Sequence, residues 1–215
     1  MLKPNRLILL GLAFTLRASV AQAQACLGLP SFARTTMHLN ASGEFPDSAK
    51  AYAAAIGLGK DASLFGNVGA GQVSYEGYDP KATLGFVEVG WQIPVSKAQI
   101  CPVAGGYYAS GPNDDSFGLE IRTRGGSAGL ALGIPIGMGG FSLIPNLAVR
   151  YESSSTEYVE DGFDPETVTA NSGLVDLGLA LVLGGRLSVQ PLYHIPFNSD
   201  DTRKTFGVFL AIGLF

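Results

Sequence analysis

Two histidines are the first candidates for catalytic chemistry in this 215-residue chain. His38 and His194 are its only histidines, and an imidazole beside a serine and an aspartate can act as the base of a hydrolytic triad. Asp115 and Ser116 lie in a polar stretch and could complete such a group. A structural role is nevertheless the more ordinary interpretation of each histidine, and we expect a chain that is not an enzyme.

Cofactor and metal sites are not predicted either. The two histidines and two cysteines are scattered, without the close spacing of a zinc site. The acidic stretch 158–167 could bind calcium weakly through carboxylate oxygens, but a solvated loop explains it more simply. The formal net charge of -4 argues against a nucleic-acid partner, which normally meets a clustered basic face.

The beginning of the chain predicts export. Residues 1–25 carry two early basic residues, an apolar run from Leu7 to Leu16 and then small residues, which is typical of the helix of a secretory signal peptide. Cleavage could follow Ala23 or Ala25, leaving residues 26–215 as a single domain. No internal run of apolar residues is long enough for a transmembrane helix.

The two cysteines, Cys26 and Cys101, are expected to form one disulfide, because exported proteins meet an oxidising compartment. Two free thiols are the alternative. Lipidation of Cys26 is disfavoured, because Ala23 stands where a lipoprotein signal usually has leucine.

Alternation with a period of two dominates the rest of the sequence. In residues 83–95, Val87 and Val89 point to one face while Glu88 and Gln92 point to the other. The same alternation recurs in residues 141–152, 174–183 and 187–197. These segments predict β-strands with one apolar face and one polar face.

The lengths of the strands and connections predict a closed barrel in a membrane. Segments of roughly 10 to 13 residues exceed ordinary strands and match a tilted crossing of a bilayer. Short connections near 59–63, 95–99, 137–140 and 184–186 alternate with longer polar ones at 40–48, 75–81, 110–116, 153–172 and 198–204. Short turns on one rim and long loops on the other are typical of a bacterial outer-membrane β-barrel, an all-β antiparallel fold.

About ten strands are expected, with eight as the alternative. They are predicted near residues 32–40, 47–59, 64–76, 83–95, 99–110, 117–137, 140–152, 172–184, 186–197 and 204–215. In 117–137 the apolar parity changes across Arg124–Gly129, which favours a bulge in one long strand over a hairpin turn. Cys26 and Cys101 would then meet at the periplasmic rim, and their bond would tether the N-terminal segment there.

The chain resembles the small outer-membrane β-barrel superfamily that includes the outer membrane protein A and X barrels. The signal peptide, the alternating segments, the loop asymmetry and the final strand with Phe206, Phe209 and Phe215 carry this resemblance over nearly the whole mature chain. It implies handling by periplasmic chaperones and the barrel assembly machinery, which recognises a terminal aromatic residue. The parity of Phe215 departs from the usual lipid-facing position.

The resemblance implies no single activity, because the same barrel hosts adhesins, channels, structural proteins and a few enzymes. Barrel lipid A deacylases pair the histidine with a serine two residues later, where this chain has Pro196 after His194. Omptin-type proteases place an aspartate two residues before the histidine, where this chain has Leu192. Both signatures are absent.

The polar strand faces predict a lumen filled by paired side chains. Its predicted members are Glu88, Gln92, Glu120, Arg122, Arg124, Asn146, Arg150, Glu152, Asp176, Gln190 and His194. A plugged barrel with a structural or surface-interaction role through its loops, chiefly 153–171, is the expected function, and a narrow small-solute channel is the alternative. The expected surroundings are outer-membrane lipid and lipopolysaccharide, and the sequence does not identify an extracellular partner.

Overall fold

A computed structural model describes most of the mature chain. It covers residues 25–29, 36–46, 49–60, 62–76, 78–111, 119–160, 162–198 and 204–214. The predicted signal helix up to residue 24, the pair Asp115 and Ser116, and Phe215 lie outside these ranges. Their roles therefore stay predictions.

The described chain consists almost entirely of β-strands. Their bounds are β1 Met37–Phe45, β2 Ala49–Gly59, β3 Leu64–Tyr75, β4 Tyr78–Trp91, β5 Ile93–Val95, β6 Ala98–Ser110, β7 Leu119–Gly133, β8 Ile136–Met138, β9 Phe141–Glu160, β10 Glu166–Leu183, β11 Leu187–Phe197 and β12 Thr205–Gly213. Strands β5 and β8 have three residues each and extend the pairing beside β6 and β9. In the described ranges, no helix is long and apolar enough to cross a membrane.

The ten long strands form a closed antiparallel barrel. Each pairs with its neighbour along the chain, and the ring closes where β1 pairs with β12. In that pairing His38 lies opposite Gly213, and Phe45 lies opposite Phe206. In the part of the barrel where every long strand has two neighbours, closure satisfies the backbone hydrogen bonds without water, which a membrane requires. The prediction of a ten-stranded closed barrel is confirmed.

Three predicted boundaries were wrong, all on the side of the long connections. Strand β4 begins at Tyr78 and not near residue 83, so the predicted loop 75–81 is mostly strand. Strand β1 begins at Met37 and runs to Phe45, so most of the predicted loop 40–48 is strand. The predicted loop 153–172 is mostly the ordered upper part of the β9–β10 hairpin, paired as far as Glu166 opposite Tyr158. Strand β9 has 20 residues, about twice the 9–11 that a tilted crossing needs, so the hairpin projects beyond the membrane.

The outer surface carries the apolar band expected of a lipid-facing barrel. Alternate residues such as Val87, Val89 and Leu130 are more than half exposed on the outside. Aromatic residues mark the extracellular edge of the band at Tyr52 and the periplasmic edge at Trp91. In a soluble protein so large an apolar surface would drive association, whereas in hydrocarbon it is the stable arrangement.

No bulge interrupts strand β7, contrary to the prediction. Its register is continuous against β6, from Gln99 opposite Gly133 to Ser110 opposite Arg122, and it is continuous against β9 as well. The apolar parity changes because the surroundings of the outer face change. Leu130 faces lipid, whereas Arg122 lies on the extension, where both faces meet water.

A short N-terminal segment, residues 25–29, lies inside the periplasmic end of the barrel, and we call it the plug. It contains a turn of 3₁₀ helix, Ala25–Leu27, and the disulfide from Cys26 to Cys101 on β6 confirms the predicted bond. Gly28 has φ of +64° and lies so close to Gln190 that a side chain could not fit. The buried neighbours of the plug are Phe65, Cys101, Val103, Ala131 and Ala148 around Cys26, and Ile144, Ala180 and Val182 around Ala25.

Candidate functional site

Above the plug the lumen contains a cavity of about 640 Å³. Leu27 and Leu29 of the plug form its floor, and its wall reaches Glu44 near the extracellular end of β1. The predicted side-chain-filled lumen is therefore wrong for this part of the barrel. Ten strands enclose a wider interior than eight, and the inward side chains pair with one another without filling it.

Arg150 on β9 is the centre of the charged network that lines this cavity. Its Nη2 lies 2.7 Å from Asp176 Oδ2 on β10, and its Nη1 lies 3.2 Å from Glu88 Oε2 on β4. Asp176 is 3% exposed. One guanidinium thus links two carboxylates from different sides of the lumen, as a planar fork of donors can. A buried carboxylate of this kind depends on its partner to remain ionised.

His194 on β11 extends the network toward the extracellular rim. Its Nδ1 lies 2.6 Å from Asp176 Oδ1, and its Nε2 lies 3.9 Å from Glu44 Oε1. Asp176 therefore holds both Arg150 and His194, one with each carboxylate oxygen. A histidine hydrogen-bonded to an aspartate can serve as a base, but among the described residues no hydroxyl nucleophile is bonded to its other nitrogen. Asp115 and Ser116 are not among those residues.

A row of amides joins the network to the first histidine. His38 Nδ1 lies 2.8 Å from Asn40 Oδ1, Asn40 donates to Asn67 over 3.3 Å, and Asn67 donates to Glu88 over 3.4 Å. His38 is the second residue of β1 and lies at the periplasmic end, whereas the predicted first strand, 32–40, would put it near the outer end. The two histidines therefore occupy opposite ends of the lumen and do not form a common site.

Two further pairs complete the wall of the cavity. Tyr107 donates to Glu152 over 2.8 Å, and Gln190 donates to Asn146 over 3.0 Å. Gln92 lies lower in the barrel and is 1% exposed. Its side-chain amide has no hydrogen-bond partner among the described residues.

The plug is held by backbone hydrogen bonds as well as by the disulfide. The Ala25 amide donates to Gln99 Oε1 over 2.8 Å. The Ser188 hydroxyl on β11 donates to the carbonyl of Gly28. These two side chains are buried, so each satisfies a plug backbone group that water cannot reach.

Three predicted members of the lumen network are on the wrong face. Glu120, Arg122 and Arg124 lie on the outer face of the β7 extension, where Arg122 is opposite Glu157 of β9. Arg122 donates to both oxygens of Glu120, over 2.9 and 2.7 Å. These hydrogen bonds lower the pKa of Glu120, chiefly because they favour its charged form. The pair is solvated and belongs to the extracellular surface.

The other predicted lumen residues do face inward. The structure brings together Glu88, Asn146, Arg150, Glu152, Asp176, Gln190 and His194 around the cavity. Sequence reasoning missed Asn40, Asn67, Tyr107 and Ser188. The alternation of His38, Asn40, Ser42 and Glu44 was the signal that could have placed β1 correctly.

The charges around the cavity do not balance. Glu44, Glu88, Glu152 and Asp176 oppose one guanidinium, Arg150, and one imidazole. The cavity is therefore net negative whichever state His194 adopts. In the part of the chain that the structure describes, no group of three or more histidine, cysteine or acidic side chains is placed to hold a metal ion.

Comparisons with known proteins give similarity of fold alone. No family model matches the sequence, and no curated protein matches it. The N-terminal β-barrel domain of Pseudomonas aeruginosa OprF is 9% identical, with a TM-score of 0.37, covering 83% of this chain and 96% of that one. Ail, the attachment invasion locus protein of Yersinia pestis, is 12% identical, with a TM-score of 0.41, covering 83% and 97%. The β domain of the Bordetella autotransporter BrkA is 13% identical, with a TM-score of 0.44, covering 83% and 98%.

The chain's own closed strand order and apolar outer band decide its class. Outer-membrane barrels combine an even number of antiparallel strands with short turns on one rim and long hairpins on the other, as this chain does. The protein is a small β-barrel of the bacterial outer membrane.

Proposed function

We propose that the barrel is a surface-interaction protein, not an enzyme, and that its extracellular sheet binds an extended peptide segment of another protein. The sheet consists of the upper parts of β7, β9 and β10. The observation that carries the proposal is the edge of β10 at residues 166–172, which we call the free edge.

The free edge spans seven residues, and the order of the described strands in the sheet leaves it without a neighbour. Strand β10 pairs with β9 along its whole length, whereas its pairing with β11 begins only at Gly173 opposite Phe197. Among the described strands, none pairs with the other side of residues 166–172. Six of these seven residues are exposed. Unpaired backbone groups in such an edge are a template for one more strand.

The composition of the free edge favours binding over protection. Proteins usually protect an edge with lysine, proline or a bulge, and residues 167–171 contain only Thr, Val, Ala and Asn. Threonine and valine suit an added strand.

Charge favours a basic partner. Glu157, Glu160, Asp164 and Glu166 surround the tip of the hairpin, and no lysine or arginine occurs between residues 151 and 185. Opposite charges across an interface steer association and exclude acidic competitors. The favoured occupant is therefore an extended segment with basic side chains.

Binding of a designed peptide to the purified barrel in lipid vesicles tests the proposal. We expect a labelled peptide of alternating lysine, threonine and valine to bind the native protein. A variant that joins Ser154 to Ala170 through an Asn-Gly turn should not bind it. A second peptide of equal charge, with proline at alternate positions, should bind much more weakly because it cannot pair its backbone.

Equal binding of the two peptides would mean that charge alone is recognised, and the proposed strand addition would be wrong. The shortened variant must keep its heat-modifiable migration on gels, which reports a folded barrel. The same vesicles can be assayed for lipid A or peptide modification with His194→Ala as the comparison. Modification by the native protein that this variant lacks would contradict a non-enzymatic role.

A further inference from the structure

We propose that the plug closes a cation-conducting path through the barrel, and that the barrel conducts when the plug leaves the lumen. This inference concerns the inside of the barrel and does not depend on the proposed binding at the free edge. It rests on the way the wall is built around the plug, on the cavity above the plug and on the charge of that cavity.

On β7, β9 and β10 the wall beside the plug has several side chains too short to fill the lumen themselves. Ala131, Ala148 and Ala180 face the plug as buried neighbours. Gly133 on β7 lies so close to the Ala25 carbonyl that even a methyl group would overlap it. In a packed interior, small residues on one element leave room for another element. Without the plug, this level of the barrel would be an opening lined by these small residues together with Phe65, Val103, Ile144 and Val182.

The plug crosses the lumen from one wall toward the other. Cys26 is bonded to Cys101 on β6, whereas the Gly28 carbonyl accepts a hydrogen bond from Ser188 on β11. Around the ring, β7, β9 and β10 separate these strands on one side, and five strands separate them on the other. A segment held at nearly opposite walls obstructs the passage between them.

The cavity reaches from near the extracellular ends of the described strands down to the plug. The cavity of about 640 Å³ extends from Glu44, the residue before the last of β1, down to Leu27 and Leu29. Arg150 pairs with Asp176 on the neighbouring strand and reaches Glu88 on β4 across part of the lumen, and the cavity continues past these pairs to the plug. The plug therefore forms its floor.

The charge of the cavity selects the sign of the ion. Four carboxylates outnumber one guanidinium and one imidazole among the lining residues. A narrow passage with low-dielectric walls concentrates ions of the opposite sign. Small cations are therefore the solutes that an open barrel would conduct.

Conductance across planar lipid bilayers tests the proposal with the full mature chain. The native protein should give no single-channel steps. The triple variant Cys26→Ser, Cys101→Ser, Gly133→Val removes the covalent attachment and makes the valine side chain overlap the Ala25 carbonyl. This variant should give discrete single-channel current steps. In a potassium chloride gradient, the zero-current potential of the open channel should have the sign expected for potassium selectivity.

Two matched variants separate the plug from general damage to the barrel. Gly137→Val places the same side chain where no atom lies within 4 Å, and it should stay as silent as the native protein. Glu152→Gln in the triple variant removes one cavity carboxylate and should lower the ratio of potassium to chloride permeability. If the triple variant fails to fold, Ser188→Ala in the Cys26→Ser, Cys101→Ser background loosens the plug without a steric overlap.

Three results would overturn the proposal. The first is single-channel current steps from the native protein with its disulfide intact. The second is the absence of such steps from plug variants that keep heat-modifiable migration on gels. The third is selectivity for chloride over potassium in the opened barrel. Peptide binding at the free edge is unaffected by these variants, so a failure here leaves the proposed function standing and is distinguishable from its failure.

Discussion

Removal of the disulfide should strongly destabilise the barrel. The double replacement Cys26→Ser, Cys101→Ser removes the covalent bond and keeps side chains of similar size, but it also places two hydroxyl groups in an apolar cluster, so the reduced native protein is the cleaner comparison. The native bond joins the plug to β6 across a sequence separation of 75 residues. The bond lowers the conformational entropy of the unfolded chain by closing a loop, and in the folded barrel it holds the plug in its buried position.

The size of the effect depends on the length of that loop. The chain-entropy relation gives about 4.5 kcal/mol at 25 °C for a closed loop of 75 residues. This corresponds to a change of about three orders of magnitude in the unfolding equilibrium constant. The hydrogen bond from Ser188 to the plug is a smaller contribution, and Ser188→Ala should cost about 1 kcal/mol.

Equilibrium unfolding in guanidinium chloride from lipid vesicles measures both losses. Trp91 is the only tryptophan of the chain and lies on the lipid-facing side of β4, 53% exposed from the protein. Its fluorescence should change when the barrel leaves the membrane. Both variants and the native protein are compared at equal lipid composition, and the native protein is also measured with its disulfide reduced before unfolding.

A loss below about 1 kcal/mol for the double variant, at an unchanged dependence on denaturant, would contradict the loop-closure explanation. It would mean that contacts of the plug, not loop closure, hold it in place. A reduced native protein that unfolds like the oxidised one would lead to the same conclusion.

Three further predictions concern other parts of the chain. Asp176→Asn should destabilise folding by about 1.5–3 kcal/mol in the same unfolding assay, because it removes one of the two carboxylates that hold the half-buried guanidinium of Arg150. In an NMR titration, Arg122→Ala should raise the pKa of Glu120 toward its usual value. Because the folded-state pKa is lowered, any stability from this pair is present above the usual pKa and is lost as the pH falls through the lowered pKa. An unchanged pKa of Glu120 in the variant would show that the hydrogen bonds do not form in solution. Mass spectrometry of the mature protein should find Gln24 at its N-terminus. Cleavage after Ala25 would bury a new charged amine at Cys26, whereas cleavage after Ala23 keeps the hydrogen bond of the Ala25 amide. A mature chain that begins at Cys26 would contradict this prediction.

The sequence predicts the barrel well where each strand meets lipid on one side and the lumen on the other. In β4 and the residue after it, the alternation of Val87 and Val89 with Glu88 and Gln92 is enough to assign both faces. Strand β1 is harder, because its outward residues include Ala41 and Gly43, which give little apolar contrast. Because of this weak contrast, the first strand was predicted several residues too early in the sequence, which placed His38 at the wrong end of the barrel.

The plug could be predicted only in part. The cysteines indicated that the N-terminal segment is tethered near the periplasmic rim, but no local pattern shows that residues 25–29 enter the lumen. Room for them comes from Ala131, Ala148, Ala180 and Gly133, which lie on three different strands. Their shared position depends on the register of the whole sheet, which is a property of the folded barrel.

Strand β7 explains why one hydrophobic pattern has different meanings along the same strand. On its outer face Leu130 meets lipid, and Arg122 meets water above the membrane. On its inner face Gly133 lies against the plug, whereas Ser127 lines the cavity. The strand stays in register while the surroundings of each face change once. A parity change in a long barrel strand is therefore evidence for the edge of the membrane as much as for a bulge, and the register of the neighbouring strands distinguishes the two.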